Sequence, residues 1–212
     1  MNKNLLPLGF KDELFDQATL EHKYKNIIIN LFQLNGFALV KPPLIEYVDK
    51  QNASNAFLIK EKRELKDFVL RNDMTLQVAR LASSRLKNKP RPLKLCYYGE
   101  VIRKKGTMLR PERQFLQVGA ECIGEDSFLA DVEMLDLAYQ TLSAVGIRNI
   151  SIELSSCEFL NFLINNVNNN NFREKIMFFI RKKDINNCLK YVDPSLHSYT
   201  KNLLFCTGNL VE

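Results

Sequence analysis

Histidine occurs only twice in these 212 residues, at His22 and His197. Two rings so far apart in the chain do not suggest a metal cluster. Cysteine appears five times (Cys96, Cys122, Cys157, Cys188 and Cys206), an odd number with no CxxC pair. That pattern reads as free, buried thiols rather than a disulfide framework or a zinc site. No apolar run approaches the roughly 20 residues needed to span a bilayer. The opening MNKNLLPLGFKDELFD carries acids early and lacks the apolar stretch of a secretory leader. The cytoplasm is therefore the expected compartment. A dense basic stripe is also missing. The net charge is +6, but the surplus is thin: Lys104 and Lys105 in one short segment, then Arg173, Lys175, Arg181, Lys182 and Lys183. Such a surplus suits phosphates or an acidic protein better than it suits a dedicated nucleic-acid binder.

What remains is an ordinary globular composition, 46% hydrophobic and 25% charged. The length allows one large domain, or one domain with a small appendage. Apolar residues at Leu20, Tyr24, Ile27, Ile28, Leu31 and Leu34 predict an amphipathic helix over 19–35, closed by Gly36. Phe37 to Val40 reads as a short strand that Pro42 and Pro43 stop. Residues 52–66 are polar and read as a loop. A short strand is expected at 68–70 and a helix over 73–86. Residues 93–103 and 113–124 are the two best strands, and the nine residues between them are long for a tight hairpin. The helical period returns over 127–145, closed by Gly146, and a strand is expected at 149–154. Beyond it, INNVNNNN at 164–171 reads as a low-complexity loop. Short helices follow at 172–180 and 184–191, and residues 202–212 form an apolar segment ending in a turn. The order points to an α+β fold with an antiparallel sheet. The expected division is 1–154 as the core and 155–212 as a helical, Asn/Lys-rich appendage.

The segment RQFLQVGAECIG, Arg113 to Gly124, is the most informative. On a strand, side chains alternate between faces. Leu116, Val118, Ala120 and Cys122 then make a core face. Arg113, Phe115, Gln117, Gly119 and Glu121 make the other, with an arginine, an amide and a carboxylate in a row. A solvated face is the plainer alternative; a sheet floor for a charged small molecule fits the Phe and Gly better. If 93–103 pairs with this strand, Tyr97, Gly99, Val101 and Arg103 share one face. Arg103 and Arg113 meet at the loop end, where two guanidinium groups suit phosphate or carboxylate, or simply meet water.

Asp73 and Glu121, with Gln117 supplying an amide, form a set that could hold an ammonium group. A carboxylate pair left without a cation in a dry pocket costs several kcal/mol, roughly. Capping the helix that follows is the plainer reading of Asp73, and Thr75 shares that ambiguity.

Taken in order, LLPLGFKD (5–12), GFALVKPPLIEY (36–47), LRNDMTLQVAR (70–80) and YYGEVIRKKG…LRPERQFLQVGAECIG (97–124) resemble the class II aminoacyl-tRNA synthetase catalytic fold in its histidyl branch. Within that branch the chain resembles the regulatory subunits of ATP phosphoribosyltransferase, synthetase-like proteins without tRNA-charging activity. The resemblance is good over 5–154 and weak beyond. It implies that Pro43 lies at a dimer interface and that Arg103 stands where synthetases hold an ATP phosphate. It also implies that Gln117 and Glu121 hold the histidine amino group, with Asp73 replacing a glutamate and Thr75 retained.

The departures from the synthetase pattern are as specific. Lys104-Lys105 stands where synthetases follow the arginine with His-Glu, so a base replaces an acid. The third motif with its second ATP arginine, the Tyr/Gly-rich histidine segment and the anticodon-binding domain have no counterpart here, so the sheet is expected to lack its last strands. Charge stabilisation is needed on both sides of a transferring phosphorus, so aminoacylation by this chain alone is not expected. Nor is phosphoribosyl transfer, because no Asp-Asp or Asp-Glu pair leads into a Thr/Gly-rich phosphate loop.

The resemblance thus implies a non-catalytic regulatory subunit acting in the first step of histidine biosynthesis. It would partner the short-form catalytic subunit, as a homodimer within a hetero-oligomer. Histidine would be the allosteric effector, bound at Asp73, Thr75, Gln117 and Glu121; no cofactor, tRNA or membrane is expected. The alternative is a truncated or split histidyl-tRNA synthetase.

Overall fold

The computed structural model describes residues 6–49, 53–60, 66–154, 156–167 and 169–205. The chain divides into two compact units, Met1–Ile150 and Ser151–Glu212.

The first unit is organised by a long hairpin. Strands β5 (Leu93–Ile102) and β6 (Gln114–Ile123) pair antiparallel along their whole length, and β1 (Ala38–Val40) adds to β5 in parallel. Alternation on β5 separates two cores. Cys96 packs with Ile29 and Phe32 of α1 (Phe15–Leu34), with Phe37, and with Leu137 of α3 (Phe128–Ala144). Val118 and Ala120 of β6 join this side, as the alternation of the sequence requires. Leu95, Tyr97 and Val101 face the other way, against Met74 and against Val78 of α2 (Thr75–Ser83). The sheet is therefore covered on both faces, and fully burying such side chains is worth about 1.5–3 kcal/mol each.

A second small sheet orders β2 (Ile45–Tyr47), β4 (Phe68–Leu70) and β3 (Leu58–Ile59), all antiparallel. Arg71 ties it to the hairpin. Its backbone N–H donates to Leu44 O at 3.0 Å and its carbonyl accepts from Ile102 N at 2.9 Å. Its guanidinium donates to Glu100 O at 2.6 Å and to Pro42 O at 2.9 Å.

The second unit is helical: α4 (Cys157–Asn165), α5 (Asn170–Arg181), α6 (Ile185–Cys188) and α7 (His197–Phe205), with two short 3-10 turns before α7. Leu163, Val167, Ile176, Cys188 and Val192 form its core. Most of the expected asparagine-rich loop is helix ends: Ile164 and Asn165 finish α4, and Asn169 caps α5 by accepting from Asn171 N at 2.9 Å. Asparagine competes for backbone groups and so favours such caps.

Other expectations need correction. Residues 149–154 form no strand; no described strand pairs with them, and Ile152 and Leu154 are exposed. A strand is held by its ladder, so apolar alternation without a neighbour does not make one. The loop expected over 52–66 contains β3, although Asn52 and residues 61–65 lie outside the described residues. Helix α1 begins at Phe15, ahead of the expected start, and α2 stops at Ser83, before Leu86. The apolar segment at 202–212 is helical through Phe205, and its remainder lies outside the described residues. Of the cysteines, Cys96 and Cys188 are buried, but Cys122 is half-buried and Cys157 exposed, all four as free thiols. Cys206 lies outside the described residues. No helix of the described residues is long and apolar enough to cross a membrane.

Candidate functional site

The register of the hairpin lays out the site. Tyr97 faces Gly119, Gly99 faces Gln117, and Leu95 faces Glu121. Helix α2 then brings its first turn over this floor. Met74, not Asp73, is the N-cap residue, and Asp73 just before it accepts from Thr75 N through Oδ1 at 2.8 Å. Its Oδ2 accepts from Gln117 Nε2 at 3.1 Å, while Gln117 Oε1 accepts from Met74 N at 3.1 Å. The Gln117 amide is thus fixed at both ends by the entry to α2.

Tyr97 completes the arrangement. Its hydroxyl donates to Glu121 Oε1 at 3.0 Å and lies 3.4 Å from Thr75 Oγ1. With its one proton given to Glu121, the phenol oxygen can accept from Thr75. Asp73, Thr75, Gln117 and Glu121 therefore belong to one connected network, and Tyr97 is the link that sequence reasoning did not single out. A signal for it existed: a tyrosine on β5 sits directly across from the glycine gap on β6. A Cβ at Gly119 would lie 2.5 Å from the Tyr97 hydroxyl oxygen and 2.6 Å from its Cζ. Glycine there gives the phenol its place.

The electrostatics of this floor are one-sided. Among the described residues neither Asp73 nor Glu121 takes part in an ion pair. Burial, the Thr75 hydrogen bond notwithstanding, and the neighbouring Glu121 and Asp73 carboxylates push Tyr97 up to about 12. The floor thus holds two carboxylates, a phenol that stays protonated and a fixed amide, with no cation among them. Chemically, it can accept hydrogen bonds from an ammonium or imidazole group.

The two arginines meet at the loop end, since Arg103 N donates to Arg113 O at 2.7 Å. Their guanidinium groups have separate partners. Arg103 lies 5.0 Å over the Phe115 ring and reaches toward Asn72 O at 3.4 Å. Arg113 donates to Arg103 O at 3.2 Å and to Leu8 O at 3.0 Å, between the rings of Phe10 and Phe57. Arg113 is thus a strut for the N-terminal segment. Pro43 is exposed, and its carbonyl accepts from the buried Gln77 amide at 2.9 Å.

The long antiparallel hairpin, covered on both faces, has the fold of the class II aminoacyl-tRNA synthetases. The solved structures agree. An ATP phosphoribosyltransferase regulatory subunit/histidyl-tRNA synthetase from Bacillus halodurans superposes with a TM-score of 0.80 at 23% identity, over 96% of this chain and 56% of that one. Histidyl-tRNA synthetase from Nostoc gives 0.77 at 19%, over 97% and 49%. The family model for histidyl-tRNA synthetase matches residues 9–207, and the chain belongs to that family. Its curated relatives include regulatory subunits of ATP phosphoribosyltransferase. That of Paramagnetospirillum magneticum is 41% identical over 161 residues, 73% of this chain and 42% of the relative. That of Clostridium acetobutylicum is 30% identical over 203 residues, 86% and 50%. The chain spans about half the length of the curated relatives it matches.

Proposed function

We propose that this chain serves as a non-catalytic regulatory subunit of ATP phosphoribosyltransferase, in the first step of histidine biosynthesis, and that histidine is its effector. The observation that carries the reading is the pair of carboxylates, Asp73 and Glu121, joined through Thr75 and Tyr97 and lacking any ion-pair partner among the described residues. A free amino acid supplies the missing cation. Histidine presents that ammonium group to Glu121, as the family resemblance implies, and adds an imidazole that donates one N–H when neutral. The names of the relatives support the regulatory role and a catalytic subunit of ATP phosphoribosyltransferase as partner; the family resemblance implies that this partner is the short form. Pro43, exposed after β1, suits the homodimer interface that the family resemblance implies.

For regulation, histidine must bind one state of the complex better than another, since equal affinity shifts nothing. The test is calorimetry with histidine. The double variant Asp73→Asn, Glu121→Gln keeps volume and removes both charges. It is expected to lose binding by at least about a hundredfold, in line with two charged hydrogen bonds of roughly 1.5–3 kcal/mol each. Unchanged affinity rejects the site.

One observation favours a second reading, that of a split histidyl-tRNA synthetase. Arg103 remains on the same floor, over Phe115, where the family resemblance puts an ATP phosphate. Histidine-dependent ATP–pyrophosphate exchange separates the two: turnover supports the enzyme, and its absence with intact histidine binding supports the regulator.

A further inference from the structure

The carboxylate floor has an arginine at its edge that neither Asp73 nor Glu121 engages. Arg71 precedes Asp73 by two positions and is half-buried. Its Nε donates to Glu100 O at 2.6 Å and its Nη1 to Pro42 O at 2.9 Å, which fixes the plane of the group. Among the described residues its Nη2 has no hydrogen-bond partner and the guanidinium forms no ion pair. An arginine carries five N–H donors in a rigid fork, and one arm of this fork is spare. Burial lowers the Arg71 pKa against the opposing pull of the Glu100 and Glu46 carboxylates. The protein therefore compensates this cation only in part.

The spare arm lies on the site's face of the sheet. Gly99 and Tyr97 are two positions apart on β5 and point to the same side. Gly99 faces Gln117 across the ladder, as Tyr97 faces Gly119. A Cβ at Gly99 would collide with Nη2 of Arg71 and lie 2.8 Å from its Cζ. The guanidinium thus occupies the place that a side chain at Gly99 would take. Gln117 in turn donates to Asp73 Oδ2 at 3.1 Å. Gln117 therefore has a carboxylate bonded to it and a guanidinium arm across the ladder from it. Gly99 and Gln117 are themselves only half-buried, so a ligand can reach this stretch of the floor.

We propose that Arg71 is the carboxylate anchor of the site, taking the α-carboxylate of a free amino acid whose ammonium group lies on the Asp73 and Glu121 side. This rests on the reading of the floor as an amino-acid site, and it adds what the site selects. The ammonium and carboxylate of an amino acid hang from one carbon, and Arg71 and Asp73 have Gln117 as their common neighbour. A guanidinium–carboxylate bond is charge-assisted and about twice as strong as a neutral one. The site then reads a zwitterion. An amine without a carboxylate, or an amino acid esterified at its carboxyl group, leaves the spare arm unpaired and binds more weakly.

The test compares histidine with histamine, which keeps the ammonium and imidazole groups and lacks the carboxylate, by calorimetry on the intact chain. Histidine is expected to bind at least about tenfold tighter. Arg71→Gln should bring histidine down to the affinity of histamine and leave histamine unchanged, and Arg71→Lys should restore part of the preference. Gly99→Ala keeps the arginine but fills its place, and should erase the preference too, so the answer does not depend on the folding of one variant. Asp73→Asn, Glu121→Gln should weaken both ligands alike, because both carry the ammonium group. Equal affinity for the two ligands in the unaltered chain, or a preference that survives Arg71→Gln or Gly99→Ala, overturns the anchor and leaves the amino-acid site standing. Binding of neither ligand overturns the amino-acid site, and the anchor with it.

Discussion

The two ends of the β5–β6 hairpin are built from the same backbone and put opposite charge on display. Where Tyr97 faces Gly119, the polar groups bond to one another and, among the described residues, Asp73 and Glu121 have no ion-pair partner. Where Arg103 meets Arg113, the guanidinium groups are committed to carbonyls and rings, and, among the described residues, Lys104 and Lys105 have no ion-pair partner. Tyr97 on β5 and Arg103 just past its end are six positions apart, roughly 20 Å at ~3.3 Å per residue. That exceeds the ~8 Å screening length at physiological salt, so neither end cancels the other. A regular hairpin can therefore keep two sites of opposite sign, provided each is preorganised by its own local bonds.

The largest expected effect tests the anionic end through pH. Tyr97 is pushed from 10.0 to about 12 in the folded chain. Because the folded value is the higher one, the stabilisation is fully present below pH ~10 and is lost as pH rises through ~12. The loss amounts to at most about 3 kcal/mol. Urea denaturation at pH 9 and pH 12 should show this loss, and Tyr97→Phe should remove that part of the slope. Identical slopes in the two proteins would mean that the phenol is not held as described.

Next in size is Gly119→Ala. The new methyl group meets the buried Tyr97 ring, and overpacking of this kind costs about 1–3 kcal/mol. The displaced hydroxyl should also leave Glu121, weakening histidine binding in calorimetry. Stability equal to the parent would show that the ring has room to move.

Much of this comparison was legible before the structure. The alternation in RQFLQVGAECIG assigned Gln117, Gly119 and Glu121 to one face, and the order of the family's motifs placed Asp73 and Thr75 beside them. Tyr97 was placed on the shared face but given no role, because that role depends on register: the pairing of β5 with β6 puts it across from Gly119. The partners of Arg113 escaped for a similar reason. Its carbonyl acceptor at Leu8 is 105 positions away, a separation that no local pattern encodes. The strand expected at 149–154 failed for want of a neighbouring ladder, which apolar alternation cannot reveal.

The smallest expected effect concerns that strut. Arg113→Lys keeps the charge at the cationic end but removes the planar fork that spans Leu8 O and Arg103 O and lies between Phe10 and Phe57. An ammonium group cannot reproduce that geometry. One or two half-buried hydrogen bonds are lost, so the global cost should be about 1 kcal/mol. The local cost should be larger. The amide of Phe10, bonded to Pro7 O at 3.1 Å, and that of residue 113, bonded to Gly9 O at 2.8 Å, should exchange faster. If hydrogen exchange leaves both amides protected, the guanidinium is not what holds the N-terminal segment.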